Sequence, residues 1–243
     1  MISVCIATHN AEKYIVKQLC SILSQLASDD EVIISDDGSR DNTVSLILSL
    51  KDKRINIHHY THLTDYSSKR LSSYYYATAN FYNALLHAKG DIVFLSDQDD
   101  IWAPDKVQSS MTYLSRYDIV CSNFSIINEN DEIIEHSYIN GHLYDNLSYY
   151  KIWKYLPFRG CCLAFTREVL LNSFPFPKDL FLHDCWIGLT AVYGKYKYKF
   201  IDAPLLMYRR HGNNVSLLES PNSLWFKLEY RFKLFLQLIS KRR

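Results

Sequence analysis

Short apolar runs alternate along this chain with segments whose apolar residues recur every three to four positions. Ile2–Ala7 is apolar at nearly every position, as a strand buried on both faces would be. In Ala11–Leu26 the residues Tyr14, Ile15, Leu19, Ile22, Leu23 and Leu26 keep helical spacing. Glu31–Ser35 and Ile55–Tyr60 repeat the strand pattern, and between them Asp41–Leu50 reads as a helix that Ser39 or Asp41 could cap. Tyr74–Leu86 reads as a further helix, punctuated by Gly90, and Asp91–Ser96 as a fourth strand. Pro104, with its fixed φ, suits the first position of a helix running to about Leu114. This β-α alternation predicts a parallel sheet with helices on both faces.

After Tyr117 the alternation breaks. Asp118–Ile127, Glu132–His136 and Gly160–Phe165 are strand-like, with a polar turn at Asn128–Asp131. Leu147–Tyr155 and Asp184–Tyr193 are helical, and Phe200–Asp202 and Leu205–Arg209 flank Pro204 as two strand pieces. The expected fold is α/β: a doubly wound, mostly parallel sheet with a mixed C-terminal half and a terminal amphipathic helix. No linker rich in Gly, Pro or Ser divides it. The expected boundaries are one domain over residues 1–216 and a basic helix over 217–243.

That last segment changes the picture of charge. The 243 residues carry a net charge of +1, without the basic excess of a nucleic-acid binder. Residues 221–243 alone hold six basic side chains and one acid, a net of +5, so the rest sums to −4. Leu224, Leu228, Phe232, Phe235 and Ile239 share one helical face, which Trp225 and Leu236 widen. The other side mixes Glu229, Lys233, Gln237 and Lys241 with Phe226, Tyr230 and Leu234. Such a helix suits an anionic membrane surface, and equally a packed position on the domain or another subunit. No run reaches 18 apolar residues, so no transmembrane helix is expected, and nothing at the N-terminus predicts a secretion signal. Six cysteines without a Cys-x-x-Cys pair suggest reduced, buried thiols in a cytosolic protein.

In an open α/β sheet, ligands bind where strands stop. Three polar clusters sit at such places. Ser35-Asp36-Asp37-Gly38-Ser39 closes the second strand; it is either an ordinary turn or a carboxylate that reads a nucleotide base. The first strand ends in Ala7-Thr8-His9-Asn10-Ala11, without the glycine-rich phosphate loop of NAD or FAD enzymes. Ser96-Asp97-Gln98-Asp99-Asp100-Ile101-Trp102 crowds three carboxylates after an apolar strand, a set suited to Mg²⁺ or Mn²⁺. Last come His183-Asp184-Cys185-Trp186 and Tyr208-Arg209-Arg210-His211-Gly212-Asn213-Asn214. Asp184 could cap a helix or act as a general base, and the basic cluster could face a phosphate or line a surface loop. The 19 tyrosines, with runs at Tyr74–Tyr76 and Tyr149–Tyr150, could stack on sugars or sit half-buried at the surface.

Taken in order, these motifs resemble the family-2 inverting glycosyltransferases of the GT-A fold, in particular the bacterial polysaccharide branch that includes rhamnosyltransferases. The resemblance covers roughly residues 1–216. It implies that Thr8, Asn10 and Asn80 bind the donor and that Asp37, with Asp36 beside it, reads a pyrimidine base. It implies that Asp97 faces the ribose or sugar, that Asp99 and His211 hold Mn²⁺ or Mg²⁺, and that Arg209 helps neutralise the diphosphate. Asp184 matches the base that deprotonates the acceptor. The implied substrates are a dTDP- or UDP-sugar, with dTDP-rhamnose first and UDP-galactose and UDP-N-acetylhexosamines open, and a lipid-linked saccharide. The implied location is the cytoplasm, peripheral on the inner face of the plasma membrane.

Two positions depart from that pattern. Ala77-Thr78-Ala79-Asn80-Phe81 lacks the usual Arg, for which Lys69 or Arg70 could substitute, and His183-Asp184 stands where Glu-Asp is common. The same acidic cluster would also serve a nucleotidyltransferase or phosphohydrolase, or a non-catalytic module that binds nucleotide or sugar.

Overall fold

The computed structural model describes residues 1–62, 64–138, 149–212 and 223–241. The first half alternates as the pattern predicts: β1 (Ile2–Thr8), α1 (Ile15–Leu23), β2 (Glu31–Asp36), α2 (Thr43–Ser49), β3 (Ile55–His59), α3 (Ser72–His87) and β4 (Ile92–Ser96). There follow β5 (Ile101–Trp102), α4 (Lys106–Leu114), β6 (Ile119–Ile127), β7 (Ile133–Glu135) and α5 (Tyr149–Tyr155). The chain closes with β8 (Leu163–Thr166), α6 (Arg167–Ser173), α7 (His183–Tyr193), β9 (Tyr198–Arg209) and α8 (Leu224–Lys241).

The described strands form one sheet in the order β3-β2-β1-β4-β8-β6-β9-β5, with β7 paired to β6. Pairings among β3, β2, β1 and β4 are all parallel. Beyond β4 the sheet turns mixed: β8 is antiparallel to both β4 and β6, and β9 runs parallel to β6. Strands β1, β2 and β6 are buried almost end to end, which explains their continuous apolar runs. The chain winds outward from β1 through β2 to β3, then crosses to β4 on the other side of β1. That reversal opens a crevice at the carboxyl ends of β1 and β4, where doubly wound sheets bind ligands.

Several elements differ from the pattern. The helix expected over Ala11–Leu26 is only Ile15–Leu23, because its early amide groups are taken by other side chains: Ala11 N–H donates to Thr43 Oγ1 (2.7 Å) and Glu12 N–H to Asp41 Oδ2 (3.1 Å). The helix after Pro104 begins at Lys106, two residues late. Ile101–Trp102 is a short strand that the apolar pattern did not predict; it pairs with Met207 and Leu206 of β9. Gly160–Cys162, expected as strand, is a single 3₁₀ turn leading into β8. The two pieces expected around Pro204 form one strand, because the register shifts opposite Asn123, which faces Pro204 where the missing N–H breaks the ladder. Part of the helix expected over Leu147–Tyr155 lies outside the described residues, as do Asn213 and Asn214.

One close approach fixes the helix that carries Asp184. A methyl group added at Gly188 in α7 would lie 2.2 Å from the Phe158 ring. Gly188→Ala is therefore expected to lower stability by about 1–3 kcal/mol through overpacking. Urea denaturation checks this; an unchanged midpoint would mean that Phe158 moves aside at no cost.

Candidate active site

A cleft of about 1000 Å³ occupies the crevice at the ends of β1, β2 and β4 and reaches the start of α7. Thr8, Asn10, Asp37, Asn80, Asp97, Asp99 and Asp184 all line it. Its floor is a set of turns locked together. Thr8 Oγ1 donates to Asp36 Oδ1 (3.1 Å), and Asp37 N–H to the Thr8 carbonyl (2.9 Å). Gly38 adopts φ of 62°, a left-handed geometry that glycine takes without cost. Asn10 also sits left-handed at φ of 50°; its N–H donates to Ser39 Oγ and its Oδ1 accepts from Arg40 N–H, both at 2.9 Å. Asn80 Nδ2 donates to the Thr8 carbonyl (3.2 Å), while its buried Oδ1 has no protein partner.

Asp36 does not face the cleft. It is 1% exposed, and its carboxylate accepts from the Ser39 N–H (3.0 Å) and hydroxyl (2.5 Å). The turn thus spends one acid on holding itself and presents the other. Asp37 Oδ1 meets His62 Nε2 at 2.5 Å, and the His62 ring packs against Tyr60 and Tyr76.

The opposite wall is the acidic cluster after β4. Burial, reinforced by Asp99 and Asp184 and opposed by Arg159, pushes Asp97 up to about 7. Burial, reinforced by Asp99 and Asp97, holds Asp100 well above the usual carboxylate range, although Arg209 N–H donates to its Oδ1 at 2.9 Å. Asp100 Oδ2 has no partner. Asp99 Oδ2 contacts His211 Nε2 at 2.8 Å, and the His211 ring stacks on Tyr14. Crowded carboxylates beside an imidazole are a donor set for a hard divalent cation, so the residues present fit Mn²⁺ or Mg²⁺ at Asp99 and His211. Asp97, Asp100 and Cys161 also lie close enough to share an ion. There, a hydrogen bond to Cys162 and burial hold the Cys161 thiol well above the usual range, and a protonated thiol is a poor ligand for a hard cation.

Arg209 is a correction. Expected at the diphosphate, it is 1% exposed and does not line the cleft. Its Nε donates to the Asp99 carbonyl (2.8 Å), one Nη donates to the Asn128 carbonyl (3.0 Å), and the other pairs with Asp131 (2.5 Å). Arg209 therefore ties the acidic loop to the β6–β7 turn from behind. Neither residue suggested for the missing Arg reaches the cleft either: Lys69 pairs with Asp179 and Arg70 lies over the Phe226 ring, whereas Arg40 does line it.

Asp184 lies in the first turn of α7. Its Oδ2 accepts from Gly160 N–H (3.1 Å) and its Oδ1 from Cys185 N–H (2.7 Å), which fixes the carboxylate at the cleft wall. His183 beside it is stacked on Phe81, and burial lowers its pKa against the opposing charge of Asp184. Thr78 Oγ1 holds this corner by donating to the Phe181 carbonyl (3.2 Å) and accepting from His183 N–H (3.3 Å). Sequence reasoning missed Thr78, His62, Gln98, Gly160 and Phe181; only Gln98, inside the acidic motif, carried a local signal.

The model for glycosyl transferase family 2 matches residues 3–174, well over half of the chain. The chain belongs to glycosyl transferase family 2. An uncharacterized glycosyltransferase of Nostoc is 30% identical over 88% of this chain, which spans 66% of that relative's length. A UDP-Glc:α-D-GlcNAc-diphosphoundecaprenol β-1,3-glucosyltransferase of Escherichia coli is 29% identical over 79% of this chain and 70% of its own length. A dTDP-rhamnosyl transferase of Shigella flexneri is 26% identical over 93% of this chain and 76% of its own length. Among solved structures, S. aureus TarS in complex with UDP-GlcNAc superposes with a TM-score of 0.70 at 18% identity, covering 99% of this chain and 66% of that one. The family-2 chain thus has the GT-A fold.

The anchoring by Arg209 is testable. Arg209→Met keeps the length of the side chain but removes the donors to the Asp99 and Asn128 carbonyls, leaving Asp131 paired with Lys17 alone. It is expected to cost about 2 kcal/mol of stability in chemical denaturation, because carbonyls in the wall lose their donor. Wild-type stability in the variant would show that the acidic loop holds its place without it.

Proposed function

We propose that this family-2 enzyme is a metal-dependent inverting glycosyltransferase. It moves a sugar from a dTDP- or UDP-sugar to a hydroxyl of a growing, lipid-linked bacterial surface polysaccharide, acting in the cytoplasm. One observation carries the reading: one cleft is lined by acids from three separate elements, Asp37 after β2, Asp97 and Asp99 after β4, and Asp184 on α7. A phosphohydrolase or nucleotidyltransferase has use for the group after β4 but not for a carboxylate set apart on another helix. The names of the relatives point the same way: one uses UDP-Glc with a diphosphoundecaprenol-linked sugar, another is a dTDP-rhamnosyl transferase. The fold likeness includes a mannosyltransferase in complex with GDP-Man and Mn²⁺.

The roles follow from position. Asp37 accepts from the pyrimidine N–H, and Thr8, Asn10 and Asn80 border the nucleoside. Asp97 faces the ribose or the sugar. Asp99 and His211 would hold the divalent ion, which supplies Lewis-acid stabilisation of the departing diphosphate. Asp184 takes the proton of the acceptor hydroxyl as that oxygen attacks the anomeric carbon. The bond to the diphosphate breaks on the opposite face, so one displacement inverts the centre and no carboxylate nucleophile is required.

The test is nucleoside diphosphate release across a panel of dTDP- and UDP-sugars with a lipid-diphosphate-linked saccharide as acceptor. Asp184→Asn is expected to slow acceptor-dependent release by about 10²–10⁴-fold with little change in donor binding. Asp99→Ala or EDTA is expected to abolish it. Full activity in Asp184→Asn would remove Asp184 as the base, and donor binding without release under every condition would favour a non-catalytic module.

A further inference from the structure

The terminal helix α8 turns an unexpected face to solvent. It packs on the domain through Phe226, Tyr230, Leu234 and Leu238, with Phe226 and Tyr230 against Phe181 at 5.9 and 5.6 Å. Arg231 donates to the Lys154 carbonyl and Lys241 to the Phe174 carbonyl, pinning the helix along its length. The wide apolar face that the sequence pattern marks out is left outside. Trp225 is 83% exposed and Phe232 61%, with Leu228, Phe235, Leu236 and Ile239 also exposed. At 3.6 residues per turn these side chains fill an arc of about 100°, along a helix of roughly 27 Å. A face this wide normally turns toward a core.

We propose that this face lies on the surface of an anionic lipid bilayer, parallel to it and without crossing it. Three observations select lipid over a protein partner. The segment carries a net of +5 on a globule that otherwise sums to −4, so attraction to an anionic surface is concentrated on this element. The face itself holds Trp, Phe, Leu and Ile, with Arg231 along one border and Glu229, then Lys233, along the other. The neighbouring α5, joined through the Trp153–Phe235 ring contact, adds exposed Tyr150 and Tyr155 together with Lys151 and Lys154, an aromatic and basic rim. No described helix is long and apolar enough to cross a membrane. Phe181 connects the two regions, since it lines the cleft beside Asp184 and also packs on α8. The contact thus sets the acceptor end of the cleft beside the bilayer. The docking stands on exposure and charge alone, whatever the acceptor proves to be.

Flotation of the full chain with vesicles tests this. Binding is expected to phosphatidylcholine vesicles with roughly 30% phosphatidylglycerol, falling with added salt and with removal of the anionic lipid. Phe232→Glu with Leu236→Glu is expected to weaken binding by at least tenfold, while Leu48→Glu, on a distant exposed residue, leaves it unchanged. Both variants should retain the wild-type melting temperature and nucleoside diphosphate release with a soluble acceptor, so failure of docking is distinct from failure of the catalytic reading. No binding to anionic vesicles, or binding indifferent to the double variant, overturns the proposal. So does a concentration-dependent dimer that the double variant abolishes, which would make the face a contact between two copies.

Discussion

Carboxylates crowded at the end of β4 impose a constraint that the surrounding structure is arranged to meet. Asp97, Asp99 and Asp100 leave one buried strand together, and like charges at such range are tolerated only with compensation. The compensation comes from behind. Arg209 fixes the loop through the Asp99 carbonyl and the Asp100 carboxylate accepts its backbone N–H. Lys106, 1% exposed, donates to the Cys161 carbonyl beneath the site, and Arg159 stacks over Phe124 and Tyr208. None of these three cations lines the cleft, so they hold the acidic loop from behind and leave its carboxylates facing the cleft.

The second constraint is positional. Under the proposed mechanism, the base acting on the acceptor is a carboxylate outside the group proposed to hold the metal. The fold provides it by bringing α7, distant in sequence, against the 3₁₀ turn at Gly160, whose N–H holds Asp184. A side chain at Gly160 would stand 3.1 Å from His183, so the absence of one there lets the two segments meet. The Gly188–Phe158 contact seats the same helix one turn further on. Thr78 and Phe81 of α3 complete the corner, which explains why an otherwise ordinary helix contributes to two ends of the cleft.

Much of this was legible in the chain itself. Alternating apolar runs and helical spacing located the elements of the parallel half, since strands buried on both faces cannot hide their composition. The acidic motifs were legible because they interrupt such runs at their ends. The helix over Leu224–Lys241 and its apolar face were equally plain. Boundaries were less so, wherever a distant side chain competed for the backbone, as Thr43 and Asp41 do at the start of α1.

By itself, then, the sequence determined the fold class and which residue types stand at strand ends, because burial and periodicity are local properties. Tertiary structure alone decided direction. It turned Asp37 into the cleft and Asp36 into its own turn, and it buried Arg209 in the wall although its sequence neighbours suggested a phosphate ligand. It paired Asp37 with His62 across a stretch with no local motif. It also chose which side of α8 meets the domain: the narrow row from Phe226 to Leu238 fits against Phe181, and the broader apolar face remains outside. Side-chain direction depends on neighbours far along the chain, and no spacing rule within a segment contains that information.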